Sequence, residues 1–370
     1  MQRSAWIELS SSAFTHNITQ FRQSLPAQVK LAVVLKSNAY GHGLSPMGQL
    51  SQANDNIDYV CVFFLQEALL LRREGITKPI LVLGFIDGLV EDAVIHDIDL
   101  VCFDQAQLKD FYAASQRLNK PINIHIKIDT GLSRLGFFPE QVPGIVQEIF
   151  DDYLGINIKG IMTHFSESGS LDVQWTERQE RIFTETVELL KRKDRTFDLV
   201  HASNTAATMR FPNSRFNMVR IGGGSYGFPQ RTVPSFDLKS VLTLKARIMA
   251  IKELPAGSFV SYDRLYQAPV ARKIAIIPVG YSDGYGRRKP AGLHVLINGI
   301  LAPSLGSVCM NMVIVDISHI PNVTLASEAT LIGQHVGIRA IDIAPLIGCV
   351  NYEVTTALSP MLKRIIVDPI

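Results

Sequence analysis

Cysteine is scarce and dispersed. The four residues, Cys61, Cys102, Cys309 and Cys349, lie far apart and form no CxxC pair. That argues against a disulfide framework and a metal site, and three sit in apolar runs as small buried hydrophobes suited to a reducing compartment. Net charge is equally sparse: 36 Lys+Arg against 34 Asp+Glu leaves +2, so no footprint for nucleic acid or an anionic membrane is present and any basic site is local. No apolar run approaches the roughly 20 residues that cross a bilayer. The opening "MQRSAWIELSSSAF" lacks a basic region followed by a long apolar run, so no signal peptide is expected and the protein reads as cytoplasmic. Low-complexity linkers are missing too, which predicts closely packed domains.

What is present is a long chain, 370 residues with 47% hydrophobic content, enough for two domains with substantial cores. Eight short β-rich runs recur between residues 30 and 224: "KLAVVLK", "DYVCVFF", "PILVLGF", "DLVCFD", "INIHIKID", "IKGIMTHF", "LVHASN" and "NMVRIGGG". Their near-continuous apolarity is what strands covered on both faces require. Helical apolar spacing appears between them, in "FLQEALLLRREG" and "TERQERIFTETVELLKRK". Eight parallel strands with helices outside make a (β/α)8 barrel, whose sites lie at the C-terminal strand ends. Beyond about residue 236 the pattern alternates in period two with Gly, Pro and Asn breaks, as in a mainly antiparallel β domain. Helix returns near "AIDIAPLIG", and the strand-like "SAWIEL" suits either domain. The expected fold is α/β: an N-terminal (β/α)8 barrel over residues 8–235 and a C-terminal mainly β domain over residues 236–370.

Polar residues stand at the strand ends: Lys36, Lys127 with Asp129, His164, Ser203 with Asn204, and Arg220. Lys36 closes the apolar part of "AVVLKSNAYGHG". A buried ammonium must be paired or neutralised. The residue therefore reads as a salt-bridged structural lysine, or as an amine whose lowered pKa frees a lone pair for the aldehyde of pyridoxal phosphate. "RIGGGSYG" follows the eighth strand, where barrels hold phosphate against bare backbone N–H groups. Glycines also make turns. Taken singly, His164 reads as a structural histidine, Tyr352 as a half-buried tyrosine and Arg220 as a salt bridge at a strand end.

The motifs "VVLKSNAYGHG", "KIDTGLSRLG", "MTHF", "NMVRIGGGSYG", "SYDRLY", "PVGYSDGYGR", "VCMNMVIVD" and "NYE" occur in that order over almost the whole chain. Together they resemble those of the pyridoxal-phosphate alanine racemases. The resemblance implies a C-terminal domain that also takes in residues 1–7, an amino-acid substrate, and a homodimer whose sites draw on both subunits. Lys36 is then the lysine joined to pyridoxal 5'-phosphate. Tyr40, Thr205, Gly222, Gly223 and Tyr352 resemble the phosphate contacts, with Asn204 beside them; Thr205 keeps the hydroxyl of the family's serine. Arg220 corresponds to a guanidinium against the pyridine nitrogen. It can only donate, which leaves that nitrogen unprotonated and favours racemisation over transamination. Racemisation needs two acid–base groups, and Lys36 and Tyr262 of the partner subunit resemble them. A tyrosine titrates near pH ~10 and needs nearby positive charge to act at neutral pH. Arg134 and His164 resemble the groups that supply that environment. Arg134 and the backbone of Met310 resemble substrate-carboxylate contacts, and Tyr281 resembles a residue lining the pocket from the other subunit. Lys127 resembles a lysine that some members carry as a carbamate; an unmodified amine paired with Asp129 is the other reading. The implied activity is interconversion of L- and D-alanine, supplying D-alanine for cell-wall peptidoglycan.

Four positions depart from the family pattern. Asn311 stands for an aspartate, Ser307 for an arginine, Gly169 for an aspartate, and Met361 for the first arginine of an "RVPR"-like segment. The first three remove charge near the substrate's approach, so a broader or serine-directed racemase is the alternative within the family. A decarboxylase of the same architecture would keep a glutamate against the pyridine nitrogen, and a non-catalytic cofactor carrier would need only the barrel. Arg220 speaks against the first and Tyr262 against the second.

Overall fold

The protein is described by a computed structural model covering residues 4–229, 236–286 and 292–368. Strand β1 (Ala5–Ser10) opens the chain, and the Ser10 hydroxyl accepts from Ala13 N at 3.1 Å to start the helix Ser11–Ser24. Eight strands follow: β2 (Lys30–Val34), β3 (Tyr59–Val62), β4 (Ile80–Val82), β5 (Ile98–Cys102), β6 (Ile122–Lys127), β7 (Ile156–Met162), β8 (Leu199–His201) and β9 (Met218–Ile221). They pair in parallel in the order β8-β7-β6-β5-β4-β3-β2-β9. Between β8 and β9 the ring is closed by Asn217 N to Val200 O at 3.3 Å and Arg220 N to Ser203 O at 2.9 Å. The expected eight-stranded barrel forms. Its boundary at residue 235 lies outside the described residues, as do residues 1–3, 369 and 370 of the expected second unit.

Strand alternation sorts the side chains. Leu31 and Val33, Ile124 and Ile126, and Val219 and Ile221 face the outer core beneath the helices. Their neighbours face inward, where Ala32, Val34, Cys61, Leu81, Val101, Leu199 and Met218 form a separate apolar cluster. By the same alternation Asp99, His125, Lys127, His201 and Arg220 also point inward, and all five are buried. The barrel interior therefore mixes apolar and ionisable side chains, with β5, β8 and β9 each contributing both.

The rest of the chain is β-rich: β10 (Leu242–Arg247), β11 (Ala250–Leu254), β12 (Phe259–Val260), β13 (Tyr266–Gln267), β14 (Arg272–Ile277), β15 (His294–Ile297), β16 (Ile300–Pro303), β17 (Val313–Asp316), β18 (Glu328–Ile332) and β19 (Lys363–Val367). One sheet runs β16-β15-β18-β10-β1-β19, a second β11-β14-β17, and β12 pairs with β13. "SAWIEL" thus joins the C-terminal sheet, antiparallel to β10 and parallel to β19. The last strand had no clear signal in the sequence. Two contacts lock the units together: Asn17 donates to Lys239 O at 2.8 Å, and Arg364 of β19 donates to Gly41 O at 2.9 Å beside the barrel rim.

Candidate active site

Immediately after β2 the backbone does something that propensity does not foresee. Ser37, Asn38, Ala39 and Tyr40 have φ of 57°, 52°, 52° and 55°, a left-handed turn made of four consecutive non-glycine residues. Each such residue costs about 1–2 kcal/mol. The surroundings over-determine it. Asn38 accepts from Leu44 N at 2.8 Å through its side chain and from Gly43 N at 2.9 Å through its carbonyl. Ser37 N donates to Glu67 at 2.8 Å, and the other Glu67 oxygen accepts from Phe63 N at 2.9 Å. The turn aims Lys36 and Tyr40 into one cavity of about 670 Å³ at the C-terminal mouth of the barrel, the size of a small-ligand site.

Opposite the turn, β9 runs into bare backbone. A Cβ on Gly222 would fall 2.6 Å from the Tyr40 hydroxyl, and one on Gly223 would fall 2.6 Å from Tyr352 Cε1. Thr205 Oγ1 accepts from Gly222 N at 3.1 Å and Gly224 N at 3.3 Å, leaving its own proton for a third partner. Two phenols, a threonine hydroxyl and side-chain-free backbone make a cradle of hydrogen-bond donors that can hold a phosphate group. Burial, and then Tyr352, raise the Tyr40 pKa, so Tyr40 stays a protonated donor.

Arg220 rises from the interior with few degrees of freedom. Its Nη2 donates to Thr163 O at 2.8 Å and Ala202 O at 3.0 Å and lies 3.3 Å from His164 Nδ1; its Nη1 meets His201 Nδ1 at 2.6 Å. Lys36, Lys127, Arg134 and His164 line the same cavity. Burial, then Arg134, lower the Lys36 pKa against an opposing pull from Glu67. Burial, then Arg134 and Arg220, bring Lys127 down to about 8. His164 is held well below its ordinary pKa by burial first and then by Arg220, Arg134 and both lysines, so it is neutral. Asp129 does not cap Lys127 directly: its carboxylate accepts from the N–H groups of Gly131, Ser133 and Arg134 at 2.9, 3.0 and 3.2 Å. That shapes the "DTGLSR" turn and sets Arg134 on the rim.

The cavity gathers Lys36, Tyr40, Lys127, Arg134, His164, Asn204, Thr205, Arg220, Gly222, Gly223 and Tyr352, and Gly169 lines it as well. Tyr262, Tyr281 and Met310 do not line it. They form a second group on the C-terminal unit, where Ser261 Oγ donates to Ser307 O at 2.7 Å, Tyr281 N to Cys309 O at 3.1 Å and Ser282 N to Met310 O at 2.9 Å. Ser261, Asp263 and Arg264 around Tyr262 have φ of 62°, 60° and 53°, the kind of backbone strain that concentrates at functional sites. Tyr262 is 63% and Met310 55% exposed, whereas Ser307 is buried beneath the Tyr262 turn. Asn311 donates to Ser282 Oγ at 2.9 Å, and Met361 is exposed. Sequence reasoning passed over Glu67, His201 and Thr163; the only signal was the alternation that puts His201 on the inward face of its strand.

Comparison with known proteins bears on this geometry. The model of the alanine racemase N-terminal domain matches residues 9–230, and that of the C-terminal domain residues 241–366. The alanine racemase of Desulfovibrio desulfuricans is 32% identical, over 99% of this chain and 99% of its own. That of Clostridium perfringens is 34% identical, over 98% and 95%. Among solved structures, the alanine racemase of Clostridium difficile superposes with a TM-score of 0.93 at 29% identity, covering 99% of this chain and 96% of that one. The Bacillus anthracis alanine racemase with bound L-Ala-P gives 0.89 at 31% identity, over 99% and 96%.

Proposed function

From its membership of the alanine racemase family, a family of pyridoxal-phosphate-dependent enzymes, we propose that this chain interconverts L- and D-alanine by a two-base mechanism. The observation that carries the proposal is Lys36 and Arg220 in one cavity, an amine that burial makes a base beside a guanidinium that can only donate. Bound pyridoxal 5'-phosphate supplies the aldehyde that captures the substrate amine and the conjugated ring that acidifies its Cα–H bond. The cradle of Gly222, Gly223, Thr205, Tyr40 and Tyr352 fits the cofactor's phosphate, because any Cβ at either glycine would fill that space. Lys36 would join the aldehyde, with Asn204 and His164 lining the same cavity.

Each remaining side chain then has a task. Arg220, tied by backbone acceptors, would offer only N–H donors to the ring nitrogen and so would add no proton to it. Lys36, relieved of part of its charge, takes or returns the Cα proton. Tyr262 of the partner subunit is the second acid–base group; the exposure of Tyr262 and Met310, with the half-buried Tyr281 beside them and all three away from the Lys36 cavity, supports a site completed by a second copy. Arg134 holds the substrate carboxylate at the rim. Neutral His164 accepts from Arg220 without adding a fifth positive charge. A Lys127 amine near pKa 8 is partly neutral at physiological pH, the form that adds CO2, and a carbamate there would balance a cavity rich in cations. The proposed setting is a cytoplasmic homodimer supplying D-alanine for peptidoglycan.

Gly169 at the cavity wall favours a second reading, a broader amino-acid range that reaches serine. The decisive test is a deuterium wash-in assay: exchange at Cα with loss of optical rotation and no CO2 release is expected. CO2 release, or cofactor binding without exchange, would overturn the proposal. Comparing kcat/KM for alanine, serine and lysine separates the two readings, with alanine expected highest.

A further inference from the structure

Beneath the cavity floor, the barrel interior holds a line of ionisable groups that touches nothing the reaction touches except Arg220. His201 Nδ1 lies 2.6 Å from Arg220 Nη1, His201 Nε2 lies 2.8 Å from His125 Nδ1, and His125 Nε2 lies 3.7 Å from Asp99 Oδ2. Asp99 Oδ2 also accepts from Tyr59 OH and Lys159 Nζ, each at 2.9 Å. The two histidines and Asp99 are almost wholly buried.

The proton positions follow from which atoms can donate. Arginine has donors only, so His201 Nδ1 must accept. A neutral His201 then carries its proton on Nε2 and gives it to His125 Nδ1. A neutral His125 in turn carries its proton on Nε2, which faces Asp99. That Nε2 is buried and has no hydrogen-bond partner, and 3.7 Å is beyond a hydrogen bond. What holds its proton in place is the field of the carboxylate rather than a formed bond. Burial, then Arg220, keep His201 well below its ordinary pKa, and burial lowers His125 despite Asp99, so both rings are neutral. Burial pushes the Asp99 pKa up, but the groups facing it, the His125 N–H dipole and above all the Lys159 ammonium at 2.9 Å, bring it below the ordinary carboxylate value, so Asp99 stays charged.

We propose that Asp99 is a positioning residue for the reaction: its buried carboxylate orients the protons of His125 and His201, and so holds the Arg220 guanidinium at the cavity floor. Without that charge the histidine pair can reverse, His125 Nδ1 donating to His201 Nε2. His201 Nδ1 would then carry a proton and meet an Arg220 donor head on, and the guanidinium would have to swing away. The seat for this pair is built deliberately tight. A Cβ on Gly160 would fall 2.4 Å from His125 Nδ1, so the strand leaves room for that ring only by carrying glycine. The role of Arg220 itself rests on the proposed function above; the orientation of the histidine protons does not.

Selective 15N-histidine labelling of the wild-type holoenzyme reads the protons directly. Both His125 and His201 are expected as neutral Nε2–H tautomers from pH 6.5 to about 9. Asp99→Asn is expected to mix the tautomers, shift the absorption band of the bound cofactor and lower kcat about tenfold, with KM within about twofold. Asp99→Ser, small and neutral, serves should the asparagine variant not fold, with the same result expected. Tyr59→Phe removes one hydrogen bond but keeps the carboxylate, and should leave tautomers and spectrum unchanged. An Nδ1–H tautomer or an imidazolium at either ring in the wild type overturns the proposal. So does a folded, neutral Asp99 variant with wild-type tautomers and spectrum. A wild type that racemises nothing but shows both Nε2–H tautomers, lost on removing Asp99, would defeat the proposed function and leave the orientation of the histidine protons by Asp99 standing.

Discussion

At the scale of single residues, Lys127 carries the most informative titration. Its folded pKa of about 8 lies below the ordinary 10.5, so between those values the unfolded chain binds the extra proton and stability rises with pH. Below about pH 8 the full burial penalty is present. Lys127→Met removes it, so the variant should melt above the wild type at pH 7, and the difference should shrink as pH approaches 10. Bicarbonate should narrow the gap at pH 7 if the amine is carbamylated, because only the wild type has a nitrogen to modify; a 13C-bicarbonate spectrum reports the adduct itself. Lys36 gives a cleaner signature. Lys36→Ala should abolish the yellow absorbance of the holoenzyme while leaving its far-ultraviolet circular dichroism intact, and retained colour would remove Lys36 from the proposed role.

At the scale of elements, the barrel strands were legible and the catalytic turn was not. Runs such as "KLAVVLK" and "INIHIKID" are buried on both faces, and their shortness and content of β-branched Val and Ile mark them as strands. The left-handed turn at Ser37–Tyr40 leaves none, since serine, alanine and tyrosine do not favour positive φ. It exists because Glu67 and the segment 43–44 hold it from outside, through Ser37 N and through the carbonyl and side chain of Asn38. Gly41 is the most exacting point. Its φ is +85°, and a Cβ there would fall 1.8 Å from Thr355 O. Gly41→Ala should therefore destabilise by more than about 2 kcal/mol, measured by urea unfolding, with cofactor affinity falling in parallel because Lys36 and Tyr40 lose their common direction. An unchanged midpoint would mean the helix Asn351–Thr356 yields more easily than its packing suggests.

At the scale of the whole molecule, the separation of the Tyr262 group from the Lys36 cavity makes a prediction that no single-chain account shares. Lys36→Ala and Tyr262→Phe proteins should each be nearly inactive. Unfolded together at equal amounts and refolded, they should regain about a quarter of wild-type racemisation, since half the dimers are mixed and each mixed dimer has one intact site of two. No recovery would place both groups in one chain.

The sequence by itself was enough to determine the barrel, from short runs that are apolar nearly throughout, the β-rich second unit, from its period-two alternation, and the polar residues Lys36, Lys127, His164 and Arg220 at the strand ends, because side-chain pattern reports which faces are buried. Spacing along a chain carries no such information about closure. The meeting of Gly223 with Tyr352, the backbone oxygens of residues 163 and 202 that hold Arg220, and the Asp99–His125–His201 line beneath it all join residues from separate elements of the chain. Only the curvature of a closed barrel, and the packing of a second unit over its mouth, brings those groups together.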